Sequence, residues 1–254
     1  MLVSPAVRAA DARDALGQAR LLYNKRQFGD AVAAADSARR TPALADSADL
    51  IAARSLLERF RETAVPDDLI NARDRLSRLN PQQFDTRERL EFVVGLGEAL
   101  FFDESFGAAA EVFESVLQSA DGAGADAHER VLDWWASALD RQTWPRPDIE
   151  RQSVYQKIRE VMRQELATRP SSAAAAYWLA AGARAQGDLQ AAWDSAVAAW
   201  VRASLASDRG VALRADLDRL MIRAIIPERA RATAQPPEIL RAEWDKFKEK
   251  WQGN

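Results

Sequence analysis

Along residues 24–40, NKRQFGDAVAAADSARR, the apolar positions Phe28, Ala31, Ala35 and Ala38 recur at steps of three and four. That spacing gathers them on one face of an α-helix. The same offsets return in 103–117, DESFGAAAEVFESVL, as Phe106, Ala109, Phe113 and Val116, and in 186–200, QGDLQAAWDSAVAAW, as Leu189, Ala192, Ala196 and Ala199. A weaker copy, DDLINARDRLSRLNP, carries Leu69, Ala72, Leu76 and Leu79. Further helical runs place Val93, Leu96, Gly97 and Leu100 on one face in LEFVVGLGEALFF, Leu132, Trp135, Ala136 and Leu139 in VLDWWASALDRQ, and Ala176, Leu179, Ala180 and Ala183 in AAYWLAAGARA.

These patterns predict helices near 6–26, 28–40, 43–63, 67–79, 85–103, 106–119, 125–142, 148–168, 172–186, 188–205, 208–225 and 236–251. No strand-like alternation survives, so the chain reads as all-α. Pro42, Pro66, Pro81, Pro145, Pro147, Pro170, Pro227, Pro236 and Pro237 are expected between helical runs, where a missing N–H does no harm. ADGAGADA, 120–127, reads as a slightly long loop.

A helix whose buried face is mostly alanine must lie close to its neighbour. Leu96-Gly97 with Ala109 and Phe113, Gly187-Asp188 with Ala192, and the terminal Asn80-Pro81 and Arg169-Pro170 resemble the tetratricopeptide repeat (TPR). The resemblance implies a right-handed α-solenoid of helix–turn–helix pairs, about five of them within residues 1–206, with 207–254 as a helical extension and cap. It also implies that Ala31, Gly97 and Ala192 are spacers where paired helices cross, and that Phe28, Phe106 and Leu189 plug the wedge at the turn. The units are divergent: the fourth carries an insertion, TWPRPDIER, between its helices.

In the last predicted helix Leu240, Trp244, Phe247 and Trp251 form an apolar stripe. Solenoid ends need a cap with one polar face, and Lys246, Lys248 and Lys250 are expected to supply it.

Composition narrows the chemistry. A formal net charge of −3 over 254 residues gives no basic surface for nucleic acid, and no apolar run is long enough to span a bilayer. Lysine occurs only at 25, 157, 246, 248 and 250, so nearly all positive charge is arginine, a bias shared with the abundant alanine. With no cysteine, disulfides, thiolate metal sites and cysteine nucleophiles are excluded. His128, the only histidine, follows Gly-rich sequence at a helix start and is expected to be solvated. No nucleophile elbow, calcium loop or phosphate-cradling glycine loop occurs, and carboxylate pairs such as Glu111 and Glu114 read as a solvated face. The expectation is a non-enzyme with no metal and no cofactor. The start, MLVSPAVRAAD, fits a cytoplasmic protein as read, or an exported one if Val7-Arg8-Ala9 is the tail of a signal peptide.

All eight tryptophans lie after residue 133. Trp135 is expected in the core, Trp193 and Trp200 against the next unit, and Trp144, in the WPRP loop, folded back as a lid in preference to forming a recognition lip.

TPR proteins bind extended peptides on a concave face built from the first helix of each unit. Carried over unit by unit, the resemblance implies a groove offering Arg13, Arg20, Tyr23 and Asn24, then Arg54 and Arg61, then Glu91, Glu98, Phe101 and Phe102, then Arg130, Asp133, Asp140 and Arg141, and finally Tyr177 and Arg184. Arginine forks suit carboxylates, so the groove is expected to favour an acidic or C-terminal peptide segment at its N-terminal half. The partner is thus a protein or peptide, with the chain itself a monomer or weak oligomer. The competing reading is a small-ligand-binding helical repeat using Trp144 and Tyr177.

Overall fold

A computed structural model describes residues 5–117, 125–206 and 208–251, with side chains from Arg13 onward. Every regular element among the described residues is helical: α1 (Pro5–Asn24), α2 (Phe28–Ala38), α3 (Ala45–Thr63), α4 (Pro66–Arg78), α5 (Thr86–Phe102), α6 (Phe106–Val116), α7 (Ala125–Thr143), α8 (Asp148–Thr168), α9 (Ala173–Ala185), α10 (Leu189–Arg202), α11 (Val211–Leu220), α12 (Ile226–Thr233) and α13 (Pro237–Trp251). The ADGAGADA loop lies mostly outside the described residues.

The chain divides into two compact units, Met1–Ala138 and Leu139–Asn254. This division falls within α7 and does not coincide with the separation at residue 206 read from the repeats. The helices from α11 onward belong to the second unit together with α9 and α10.

In the first unit each helix from α1 to α6 packs on the next, and α3 also touches α1 and α5. Helix α3 is therefore central, and every residue from Ala48 to Glu58 is buried. Its α1–α2 side is lined by Ala19, Ala35, Ala38, Ala48 and Ala52 around Ile51, a layer thin enough for close helix approach. Its other side meets Leu69, Ala72, Leu76, Leu79 and Phe84. Helix α7 adds Trp134, whose ring meets Phe101 at 4.9 Å and stacks on Phe113 at 6.0 Å. Trp135 is fully buried.

Small residues sit where contact is closest. Ala31 and Ala192 are fully buried, and a Cβ on Gly97 would come within 2.6 Å of the Phe113 ring. Gly95 serves differently, since a Cβ there would press on the Arg54 side chain at 3.0 Å. Phe28 is buried, while Leu96, Phe106 and Leu189 are half-buried.

One turn is built three times. The residue two places before Phe28, Phe106 and Leu189 has a positive φ: Arg26 at 60°, Glu104 at 59° and Gly187 at 77°. At each, its own N–H donates to the carbonyl three residues back (Tyr23, Phe101, Arg184), and the next N–H to the carbonyl five back (Leu22, Leu100, Ala183). This left-handed helix ending favours glycine, which only the third copy has.

In the second unit α8 packs on α9, α9 on α10 and α11, and α12 on α13. Trp193 and Trp200 close on Trp244 of α13 at 6.3 and 5.2 Å, so they pack against the C-terminal helix. Three sequence expectations need correction here. Pro227 does not separate two runs: α11 continues through a π-turn, Met221–Ile225, directly into α12, which has Pro227 near its start. The wider turn relieves the clash a proline ring makes with the preceding turn of an α-helix. Pro66 and Pro237 likewise open helices, as residues whose N–H needs no intrahelical partner. Lys248 is not on the solvated face; its ammonium bonds Asp218 at 2.7 Å beside Trp200 and Trp244, leaving Lys246 and Lys250 exposed. The Trp244 indole N–H also donates to Asp218 at 2.9 Å. Against the opposing effect of partial burial, these two donors hold the Asp218 carboxyl below its usual range.

Two outcomes follow for urea unfolding. Gly97→Leu and Ala192→Leu should each lose about 1–3 kcal/mol through overpacking. Glu104→Gly, which relieves a strained backbone at an exposed turn, should instead gain about 0.5–1 kcal/mol.

Candidate functional site

Arg20, Tyr23 and Asn24 share one face of α1, and the same cleft receives Ile51 and Arg54 from α3, Arg87, Leu90, Glu91 and Val94 from α5, and Ala127, Arg130 and Val131 from α7. Its volume is about 90 Å³, room for a carboxylate-sized group or a few waters. All four contributing helices, α1, α3, α5 and α7, are odd-numbered. Aliphatic side chains of Ile51, Leu90, Val94 and Val131 give it an apolar floor.

The floor is anchored by a buried charge. The Arg54 side chain is 8% exposed and that of Glu98 2%. Arg54 Nε and Nη2 donate to the two Glu98 carboxylate oxygens at 3.1 and 3.3 Å; Nη2 also donates to the Tyr23 hydroxyl at 3.0 Å, and Nη1 to the Glu91 carbonyl at 3.3 Å. A charge taken out of water needs this density of partners. Burial works against the guanidinium's charge, but Glu98, Tyr23, Glu91 and Glu58 together push its pKa above the ordinary arginine value. Burial also raises the Glu98 carboxyl above the usual range, with Arg54 opposing and Glu58 reinforcing the shift. Burial raises the Tyr23 hydroxyl as well, which keeps it a neutral acceptor for Arg54.

Around the rim the arginines differ in what they have left to offer. Arg20 is held by Glu88 at 2.7 Å and Arg87 by Glu91 at 2.8 Å. Arg130 is exposed and forms no ion pair among the described residues. Once the internal pairs are discounted, the cleft presents the unbalanced positive charge of Arg130 above an apolar floor.

Of the residues expected in a groove, Arg20, Tyr23, Asn24, Arg54, Glu91 and Arg130 meet in this cleft. Several do not. Arg13 is exposed elsewhere on α1, and Arg61 pairs with Glu58 at 2.6 Å near the end of α3. Glu98 is no lining residue but the buried counter-ion of Arg54. Phe101 and Phe102 are consumed in packing: Phe101 meets Phe106 and Trp134, and Phe102 meets Phe60 and Trp134, so their rings serve the helix interfaces and not the cleft. Asp133 is exposed outside the cleft. Asp140, Tyr177 and Arg184 line a different cleft in the second unit, and Arg141 lies over the Trp144 ring at 4.5 Å. His128 is 6% exposed, not solvated, because the helix start places it on the inner face of α7. Trp144 is 59% exposed; the four-residue connection to α8 is too short to fold it back as a lid.

The sequence reading missed Arg87, Ile51, Leu90 and Val94 as lining residues. The signal was present in their spacing: Arg87 lies one turn before Glu91, and Ile51 one turn before Arg54, on faces already assigned.

Among the described residues no group of three or more histidine, aspartate or glutamate side chains is arranged to hold a metal ion, and no helix is long and apolar enough to cross a membrane. Comparison with family models, with curated proteins and with solved structures finds no match.

Glu98→Ala, which strands the Arg54 charge, should cost about 3–5 kcal/mol in chemical denaturation. Glu98→Gln is gentler and carries a sign. With its folded-state pKa raised, wild-type Glu98 favours folding while protonated and loses that advantage as pH rises through the folded-state pKa. Stability of the glutamine variant relative to wild type should therefore climb as pH rises through and above the ordinary carboxylate range.

Proposed function

We propose that the first unit is a non-enzymatic binding module of TPR-like helical pairs, stacked as part of an α-solenoid, which holds a protein or peptide segment by a carboxylate. The observation that carries this reading is Arg130: an exposed cation with no ion pair among the described residues, at the mouth of a cleft to which four alternate helices contribute. A carboxylate there gains a charge-assisted hydrogen bond, with Asn24 and Arg20 beside it as further donors. The residues that precede that carboxylate would leave the cleft along its apolar lining, Ile51, Leu90, Val94 and Val131. The recurrence of one turn geometry before Phe28, Phe106 and Leu189 supports the repeat reading. The small volume of the cleft favours a single carboxylate at a chain end over a long acidic tract.

The reading is tested by fluorescence anisotropy with a labelled random octapeptide pool ending in a free carboxylate and its C-terminally amidated twin. The free-acid pool should bind the wild-type chain more tightly, and Arg130→Ala should weaken it about tenfold, the scale of one hydrogen bond to a charged group. Equal binding of both pools, or unchanged affinity in both Arg130→Ala and Arg20→Ala, would remove the proposal.

A further inference from the structure

The second unit contains a cleft of about 310 Å³ that the peptide reading does not use. Its walls include Asp140 and Trp144 at the end of α7, Tyr155 on α8, and Tyr177, Trp178 and Arg184 on α9. The volume suits a compact small molecule, and four of these six side chains are aromatic.

The charges in the wall are unequal in availability. Arg184 is neutralised inside the protein: Nε lies 3.1 Å from each Glu228 carboxylate oxygen, and Nη2 donates to one of them at 2.6 Å. Asp140 has only a neutral partner on its side chain, accepting from the Tyr155 hydroxyl at 2.8 Å on Oδ1, and it forms no ion pair among the described residues. Burial pushes the Tyr155 hydroxyl up to about 12, so it remains a donor at neutral pH and does not compete as an anion. The cleft therefore holds one carboxylate whose charge no cation balances, flanked by aromatic faces. Ring faces attract cations, and the exposed Trp144 already carries the Arg141 guanidinium on one face.

We infer that this cleft binds a small organic cation, an amine or quaternary ammonium group on a compact apolar body, with its charged head at Asp140 and its body against Trp144, Tyr177 and Trp178. An anion finds the strongest donor in the wall, Arg184, already engaged by Glu228. A neutral ligand would cover the Asp140 carboxylate without compensating it, which is unfavourable.

Calorimetry on the full chain tests this with 2-phenylethylamine and tetramethylammonium as probes, and with 2-phenylethanol and 3-phenylpropionate as neutral and anionic counterparts of the first. Saturable binding of the amine, about tenfold tighter than either counterpart, is expected. Asp140→Asn keeps an acceptor for Tyr155 and should abolish that preference. Trp144→Ala, at an exposed position, should weaken the amine several-fold with an unchanged melting temperature. Arg130→Ala should leave amine binding intact, which separates this site from the peptide cleft. No saturable binding of either cation, equal binding of the three phenyl compounds, or full affinity in Asp140→Asn would each overturn the inference.

Discussion

Arg54 is a guanidinium on a stretch of helix, Ala48–Glu58, that has no solvent side. Helix α3 is enclosed by α1, α2, α4 and α5, so the charge must be matched within the protein, and Glu98 on α5 matches it with two hydrogen bonds. Much else in the first unit follows from that requirement. Tyr23 faces Arg54 from α1 and completes its coordination, with its ring 5.6 Å from the guanidinium. Gly95 leaves the space through which the side chain passes. The three helices that meet at the pair are the ones that carry the cleft, together with α7. The polar anchor thus fixes the register of α1, α3 and α5, while the alanine layer between α1, α2 and α3 fixes their separation.

Rigidity of this kind explains how such thin helices make a usable surface. An alanine face contributes little hydrophobic area per residue, so close approach and many shallow contacts have to do what large side chains do elsewhere. The bulky groups are concentrated at the turns and at the α5–α6–α7 junction, where Phe101, Phe102, Phe113 and Trp134 meet. In the second unit the same task falls to Trp193, Trp200 and Trp244, with Arg229 and Lys248 lying over their rings and Asp218 tying α13 to α11.

The all-helical composition and most helix limits were legible because the three-and-four spacing of Phe28, Ala31 and Ala35 has no other physical meaning. Pro227 misled because a proline normally ends a helix, and nothing local in MIRAIIPERAR announces the π-turn that accommodates it. The site was legible in its faces and not in its pairings. Arg20, Tyr23, Asn24, Arg54, Glu91 and Arg130 are placed together by carrying the TPR resemblance over unit by unit, not by spacing alone. That Glu98 would turn inward as a counter-ion, and that Phe101 and Phe102 would be absorbed into packing, depends on which helices touch at that level. Spacing within a single helix does not encode this.

The central claim is that the Arg54 charge is carried by Glu98 and that the pair sets the arrangement of the odd helices. A double-mutant cycle with Arg54→Met, Glu98→Leu and the combined variant, followed by denaturant unfolding, addresses it most directly. The account predicts that the double variant recovers most of the stability lost in Glu98→Leu, giving a coupling energy of about 2–3 kcal/mol. Losses that simply add across the two positions would contradict it.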